Sequence, residues 1–218
     1  MNDPSHTYHA IRQTTLALCA PLEPADHELQ AAAFTSPAKW HLAHTTWFFE
    51  TFILLPNLKG YRPFNPLFEQ LFNSYYNGIG IPFPRDKRGL LSRPSLGEVL
   101  RYRLWVDEAM QALLADTSLW PLIELGLNHE QQHQELLLTD LQYCWSVNPL
   151  APAYAAPMNE TKFTHQEISW HEFGGGIHSI GYQGNGFSFD NEGPRHSVLV
   201  SDGAIANRLI TTREYLEF

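Results

Sequence analysis

The most informative stretch of this chain is NHEQQHQE, residues 128–135, because it places two histidines four positions apart. Side chains at positions i and i+4 of an α-helix lie on the same face, so His129 and His133 would present two imidazoles to one point. Leucines on both sides indicate a helix with one apolar face: Leu125, Leu127, Leu136, Leu137 and Leu138. Imidazole suits zinc, iron, copper and nickel, so the spacing indicates a metal site without naming the metal.

Three interpretations of this pair are open. Read as H-E-x-x-H, the segment has the pattern of zinc metalloproteases, with Glu130 as the general base. Read as H-x-x-x-H with a third ligand from another helix, it forms part of a three-ligand site with open positions. In the third interpretation both histidines are buried and hydrogen-bonded without a metal.

Composition limits the class of protein. The chain has 218 residues, a formal charge of −9 and only two cysteines, Cys19 and Cys144, and its pI is about 5.6. An acidic chain argues against nucleic acid as a partner, and no apolar run reaches the ~20 residues of a membrane span. Residues 1–10 lack the apolar core of a signal peptide. We therefore expect a cytoplasmic protein with no nucleic-acid or membrane partner.

Helical patterns dominate the first two thirds of the sequence. They predict long helices at residues 4–20, 36–55, 95–114 and 120–145, and a short helix or buried turn at 67–77. Ser36 is expected to cap the second helix, with Pro37 at its first position. Ser95 and Glu98 are expected to form a capping box at the start of the third. Four such helices predict an antiparallel four-helix bundle over residues 1–148.

The composition changes after this region. Residues 149–165 are rich in Pro and Ala and are predicted to be a linker, whereas residues 166–218 have a β-like pattern. The second region is too short to bury a core of its own. We therefore expect it to be the truncated start of a larger β-rich domain, the rest of which could lie on a second polypeptide. The alternative is a β-rich flap that packs on the bundle.

The third ligand is expected from a facing helix, where His41 and His44 both could point inward. The surrounding segment reads SPAKWHLAHTTWFFE at residues 36–50, followed by LFNSYYN at 71–77 and RGLLSRP at 88–94. Together with NHEQQHQE, these motifs resemble the sulfoxide synthases of ergothioneine biosynthesis. The resemblance extends to the glycines at 174–176, DNEGPRH at 190–196 and TTREY at 211–215. It implies a DinB-like bundle followed by a domain with the C-type-lectin-like fold of the formylglycine-generating enzyme.

The resemblance also implies a reaction and a set of ligands. The family's iron ligands correspond to His44, His129 and His133, which leaves His41 as a hydrogen-bonded or surface histidine and gives Glu130 no role as a base. The cofactor would be Fe(II). The small-molecule substrates would be O₂, Nα-trimethylhistidine (hercynine) and a cysteinyl thiol, either cysteine or γ-glutamylcysteine. An oxidoreductase of this kind forms a carbon–sulfur bond to the imidazole and oxidises the sulfur to the sulfoxide.

Five further residues are candidates for the reaction. Tyr75 and Tyr76 could supply a phenol as acid or hydrogen-atom donor, although both could also be core aromatics. Gln132 matches a family glutamine that holds the imidazole substrate, and Arg85 and Arg88 could bind the carboxylate of the thiol substrate. A solvated helix surface and a solvated basic loop are the alternatives. A non-catalytic metal-binding bundle, a thiol-dependent transferase or isomerase and a zinc hydrolase remain the competing functions.

Overall fold

The computed structural model describes residues 4–74, 78–156 and 166–218. The chain divides into two compact units, Met1–Ala156 and Pro157–Phe218. The first unit is helical and the second contains short antiparallel strands, so the predicted mainly α fold class is confirmed. The α-helices of the described residues are α1 (Pro4–Cys19), α2 (Ala38–Phe49), α3 (Leu55–Asn57), α4 (Phe68–Leu71), α5 (Leu96–Met110), α6 (Trp120–Ser146) and α7 (Thr212–Glu217). In these ranges no helix has both the length and the apolar character needed to span a membrane.

Helix α2 lies at the centre of the first unit. All 12 of its residues are buried, and it packs against both α5 and α6. A helix that is apolar around most of its circumference is stable only where other elements cover it on every side. A π-helical turn, Glu50–Leu54, joins α2 to α3, and the Glu50 carboxylate accepts hydrogen bonds of 2.7 Å from the hydroxyls of Tyr61 and Tyr102.

The start of α2 differs from the prediction. The helix begins at Ala38, Pro37 is the N-cap residue, and no side chain caps the first turn. Ser36 instead makes tertiary contacts: its backbone N–H donates to the Asp140 carboxylate at 2.8 Å, and its hydroxyl accepts from Arg88 at 2.9 Å. Long-range contacts therefore replace the local cap that the sequence predicts at this end.

Side-chain contacts show the direction of the helices. The ring of Tyr8 packs on Phe49 with centroids 5.1 Å apart, and Arg12 donates to Thr46 at 3.1 Å. A higher residue number in α1 thus meets a lower number in α2, which makes this pair antiparallel. Helix α5 is antiparallel to α1 in the same way, since Tyr8 bonds to Asp107 and Arg103 bonds to the carbonyl of Arg12.

Helices α2 and α5 therefore run parallel to each other, and a connection at residues 58–95 makes the crossover between them. Parallel neighbours cannot be joined by a short turn, so a bundle of this topology needs such a segment. The connection packs on the bundle through aromatic rings. Phe64 and Phe68 lie with ring centroids 5.4 and 5.1 Å from that of Tyr102. Farther along the connection, Arg88 of the 3₁₀ turn Arg85–Leu90 donates to the Ser36 hydroxyl at 2.9 Å, which places this turn beside the start of α2.

The second unit consists of two nested strand pairs and a terminal helix. Its strands are β1 (Trp170–Phe173), β2 (Gly176–Ile180), β3 (His196–Val200) and β4 (Gly203–Ala206). β2 pairs with β3 and β1 with β4, all antiparallel, and Thr211 and Glu214 form a capping box at the start of α7. No described residue in 166–218 is buried. Ile177 and Leu199, which face each other across β2 and β3, are 77% and 80% exposed, so strand pairing organises this unit.

Candidate metal centre

Three histidines lie together inside the helical unit. His44 comes from α2, and His129 and His133 come from α6. Each offers one ring nitrogen, and these three nitrogens lie within 4.8 Å of one another. The ring centroids are 4.6–5.0 Å apart. His44 and His129 are buried, and His133 is partly exposed, so the group lies in the interior but reaches the surface at His133.

Hydrogen bonding fixes the orientation of His44. Its Nδ1 lies 2.6 Å from the carbonyl oxygen of Phe72, so Nδ1 carries the proton and donates, which leaves a lone pair on Nε2. That Nε2 is buried without a hydrogen-bond partner, as are both ring nitrogens of His129. A buried polar atom without a partner costs roughly 1–3 kcal/mol, and a metal ion would use these lone pairs. The donor set therefore fits a bound metal.

Burial also sets the charge state of the group. It lowers the pKa of His44 and of His133 below the ordinary value, and the neighbouring imidazoles lower both further. Burial lowers the pKa of His129 to about 4. All three imidazoles are therefore neutral near pH 7, which is the form that binds metal ions.

Aromatic side chains surround the ligand rings. Trp40 and Trp47 both stack nearly parallel to His44, with centroids 4.5 and 5.4 Å away. Phe48 packs against His129 at 5.1 Å. The guanidinium carbon of Arg88 lies 3.3 Å from the ring centroid of Trp40. This wall keeps water from the inner side of the group and holds the rings in place.

His41 lies beside the three-histidine group. It is buried, its Nδ1 is 2.9 Å from Nδ1 of His133, and its Nε2 is 3.1 Å from the Asp140 carboxylate. This placement agrees with the resemblance, which leaves His41 outside the ligands as a hydrogen-bonded histidine. Asp140 was not among the predicted site residues, although it lies two helical turns beyond His133 and so on the same face of α6.

Glu130 faces a different side of α6 from the histidines. Its buried carboxylate accepts hydrogen bonds from Arg12 at 2.9 Å, Arg103 at 2.5 Å and the Thr15 hydroxyl at 2.6 Å. Burial alone raises the pKa of Glu130, but the charges of Arg103 and Arg12 outweigh it and lower the pKa to about 2. Both oxygens thus join α6 to α1 and α5, which does not favour Glu130 as the base of an H-E-x-x-H hydrolase.

Comparison with known families agrees with this arrangement. A profile of the DinB superfamily matches residues 7–137, which is more than half of the chain. The chain belongs to the DinB superfamily. The match includes His44, His129 and His133 and most of the four long helices. No curated protein matches the chain significantly. The DinB superfamily includes metal-dependent enzymes, and the buried histidine group of this member could hold a metal ion.

The two candidate arginines of this DinB protein occupy different environments. Arg88 is buried, and its terminal nitrogens donate to the hydroxyls of Ser36 at 2.9 Å and Ser74 at 3.1 Å. Burial, with the nearby charge of Arg85, lowers the pKa of Arg88 to about 9. Arg85 is exposed at the surface. The two arginines therefore differ in their access to solvent, and their role in binding a substrate carboxylate stays a prediction.

The other predicted substrate and catalytic residues are placed only in part. Gln132 is exposed and lies three residues after His129, so both share one face of α6. Tyr75 and Tyr76 lie outside the described residues, and their catalytic role stays a prediction.

Gly126 controls how closely the helices that carry the ligands approach. A Cβ atom at this position would lie 2.8 Å from Cε1 of Phe48 and 2.9 Å from Cε1 of Phe49. Both rings are buried in α2, so glycine is the residue that allows α6 to lie against them. Because His129 follows one turn later, we expect this contact to influence the distance between His129 and His44. Gly126 was not predicted as a functional residue, and its only signal in the sequence is a glycine inside a long helical pattern.

Proposed function

We propose that this DinB-superfamily protein is a non-haem iron(II), O₂-dependent sulfoxide synthase. It would join the thiol of cysteine or γ-glutamylcysteine to the imidazole of Nα-trimethylhistidine. The observation that carries the proposal is the buried, neutral group of His44, His129 and His133, whose unpaired ring nitrogens suit a metal ion. Three protein ligands leave coordination positions for substrates. The segments that carry the histidines also carry the motifs that resemble those of the ergothioneine sulfoxide synthases.

The proposed reaction balances without a further reductant. The thiol S–H and one imidazole C–H bond are broken, a C–S bond and an S–O bond are formed, and the second oxygen atom of O₂ leaves as water. Bound Fe(II) would supply O₂ activation and deprotonation of the thiol. The chain's own side chains would hold the metal, exclude water through the tryptophan and phenylalanine wall, and bind the substrates at the exposed edge near His133.

Several residues have proposed parts at that edge. Gln132 would orient the imidazole substrate, since it shares the face of α6 with His129. Arg85 would pair with the carboxylate of the thiol substrate, since its guanidinium is exposed. Arg88 would take the same role only by exchanging its bonds to serine hydroxyls for the ligand. A phenol from Tyr75 or Tyr76 would move a proton or a hydrogen atom.

The metal site is tested first. The protein is loaded with Fe(II) without air, and bound metal is measured after gel filtration. We expect one ion per chain, loss of that ion in His133→Ala, and retention in His27→Ala, a matched control because His27 is also buried but lies outside the group. Undiminished metal in His133→Ala would contradict the assignment of the ligands.

The reaction is tested with the intact protein, as expressed from its own gene. Loaded with Fe(II), it should consume O₂ only when Nα-trimethylhistidine and a cysteinyl thiol are both present, and mass spectrometry should find the sulfoxide. Metal binding without substrate-dependent O₂ uptake would instead indicate a non-catalytic metal-binding bundle. Zinc-dependent peptide cleavage lost in Glu130→Gln would indicate a hydrolase.

A further inference from the structure

A hydrogen-bonded chain leads from Asp140 through His41 to the proposed ligand His133. The Asp140 carboxylate oxygen lies 3.1 Å from Nε2 of His41, and Nδ1 of His41 lies 2.9 Å from Nδ1 of His133. Asp140 also accepts from the backbone N–H of Ser36 at 2.8 Å, which holds the carboxylate in place. His41 and Asp140 are both buried, so solvent does not compete for these bonds.

The chain of bonds determines where the protons lie. A carboxylate can only accept, so His41 must carry its proton on Nε2. Neutral His41 then has a bare Nδ1, which can only accept, and the donor in the contact must be Nδ1–H of His133. The lone pair of His133 is therefore on Nε2. His44 reaches the same tautomer through the carbonyl of Phe72.

We propose that His41 and Asp140 are positioning residues for the metal ion. They fix the tautomer and ring orientation of His133, so that Nε2 is the ligand atom, and the negative charge of Asp140 increases the basicity of that nitrogen. The inference rests on the proposed metal site and not on the proposed reaction. Hydrogen-bond partners of this kind typically contribute about 10–100-fold to metal affinity. Nδ1 of His41 faces Nδ1 of His133 and not the centre of the group, which argues against His41 as a fourth ligand.

The tautomers are read directly by nitrogen-15 NMR of the imidazole rings in the metal-free protein near pH 7. We expect the Nδ1–H form for His133 and the Nε2–H form for His41. Finding His133 protonated on Nε2 would overturn the inference, whether or not the protein binds metal. The NMR measurement therefore tests the inference even if the proposed function is wrong.

The second arm compares two substitutions of His41 that differ in one property. His41→Asn keeps an acceptor oxygen near the position of Nδ1, whereas His41→Phe keeps the ring volume and removes the acceptor. Affinity for Co(II) is measured by competition with a chelator, and visible absorption reports the coordination. We expect His41→Phe to bind about 10–100-fold more weakly and His41→Asn to stay within a few-fold of the wild type. His27→Phe is the control for placing a phenylalanine at another buried histidine.

Two outcomes of this arm would overturn the inference. One is wild-type affinity in His41→Phe, and the other is equal loss in both variants, which would indicate a packing role. Unfolding midpoints are measured for every variant. If His41→Phe does not fold, Asp140→Asn replaces it, because this change keeps the shape and removes the charge. Asp140→Asn should weaken Co(II) binding several-fold and give His41 a mixture of its two tautomers. If neither the affinity nor the tautomer changes, the proposal is wrong.

Discussion

Replacing Gly126 by alanine should push apart the two helices that carry the proposed ligands. The new Cβ would lie 2.8 Å from Cε1 of Phe48, where carbon atoms normally stay about 3.5–4.0 Å apart. A second contact of 2.9 Å to Phe49 blocks simple rotation of one ring. Alanine gains about 1 kcal/mol over glycine in a helix interior, but overpacking a buried site costs about 1–3 kcal/mol. Because two buried rings must move, we expect a cost in the upper part of that range, about 2–3 kcal/mol, and therefore a net destabilisation of about 1–2 kcal/mol.

The same strain should appear in metal binding. His129 lies one turn after Gly126 and packs on Phe48. Relief of the clash should therefore move the His129 ring away from the His44 ring, whose centroid lies 5.0 Å from that of His129 in the wild type. A loss of about 1–2 kcal/mol corresponds to roughly 5–30-fold, and we expect Co(II) affinity to fall by about that factor. Thermal unfolding followed by circular dichroism should show a decrease of about 2–8 °C, at about 2–4 °C per kcal/mol for a protein of this size.

Gly97→Ala in α5 is the matched control. Its Cβ would meet only Arg101, at 3.8 Å, so alanine should leave stability unchanged or raise it by up to about 1 kcal/mol and should not alter Co(II) affinity. If Gly126→Ala is as stable as Gly97→Ala and binds Co(II) as tightly as the wild type, Gly126 does not set the distance between the ligands.

Three further substitutions test the buried carboxylates of Glu130 and Glu50. Glu130→Gln should cost about 3–5 kcal/mol, because it removes the carboxylate that pairs with buried Arg103 and one of the two carboxylates that pair with buried Arg12, yet should keep the metal. The pKa of Glu130 is lowered from 4.5 to about 2, so its contribution to stability is complete above about pH 4.5 and is lost as pH falls toward 2. The free energy of unfolding in urea should therefore decrease over that range in the wild type, and decrease less in Glu130→Gln. Tyr102→Phe should cost about 1.5–3 kcal/mol, because it removes a buried hydroxyl that bonds to Glu50. Tyr61→Phe, at a partly exposed site, should cost less. Equal costs would show that burial does not determine how much each hydrogen bond to Glu50 contributes to stability.

Local patterns in the sequence predicted most elements of the fold. The long helices lie within a few residues of their predicted ranges. Ser95 accepts from the backbone N–H of Glu98, which is one of the two bonds of the predicted capping box. The β-like pattern of residues 166–218 did not define individual strands, and β4, Gly203–Ala206, is too short for an alternating pattern to stand out. Helix α3, Leu55–Asn57, extends beyond the predicted end of the second helix at residue 55, because it continues the turn after the buried α2.

The sequence alone determined the helical pair His129 and His133, since the spacing of four residues along one helix needs no other part of the chain. Only the tertiary structure decided which further side chains join them. His41 and His133 are 92 residues apart, and Arg12 and Glu130 are 118 apart. These contacts depend on how the helices cross and on their close approach at Gly126, and neither can be predicted from a local sequence pattern. Packing therefore distinguishes the histidine pair of the candidate metal site from the adjacent Glu130, whose carboxylate bonds to arginines, and the linear motif H-E-x-x-H cannot make this distinction.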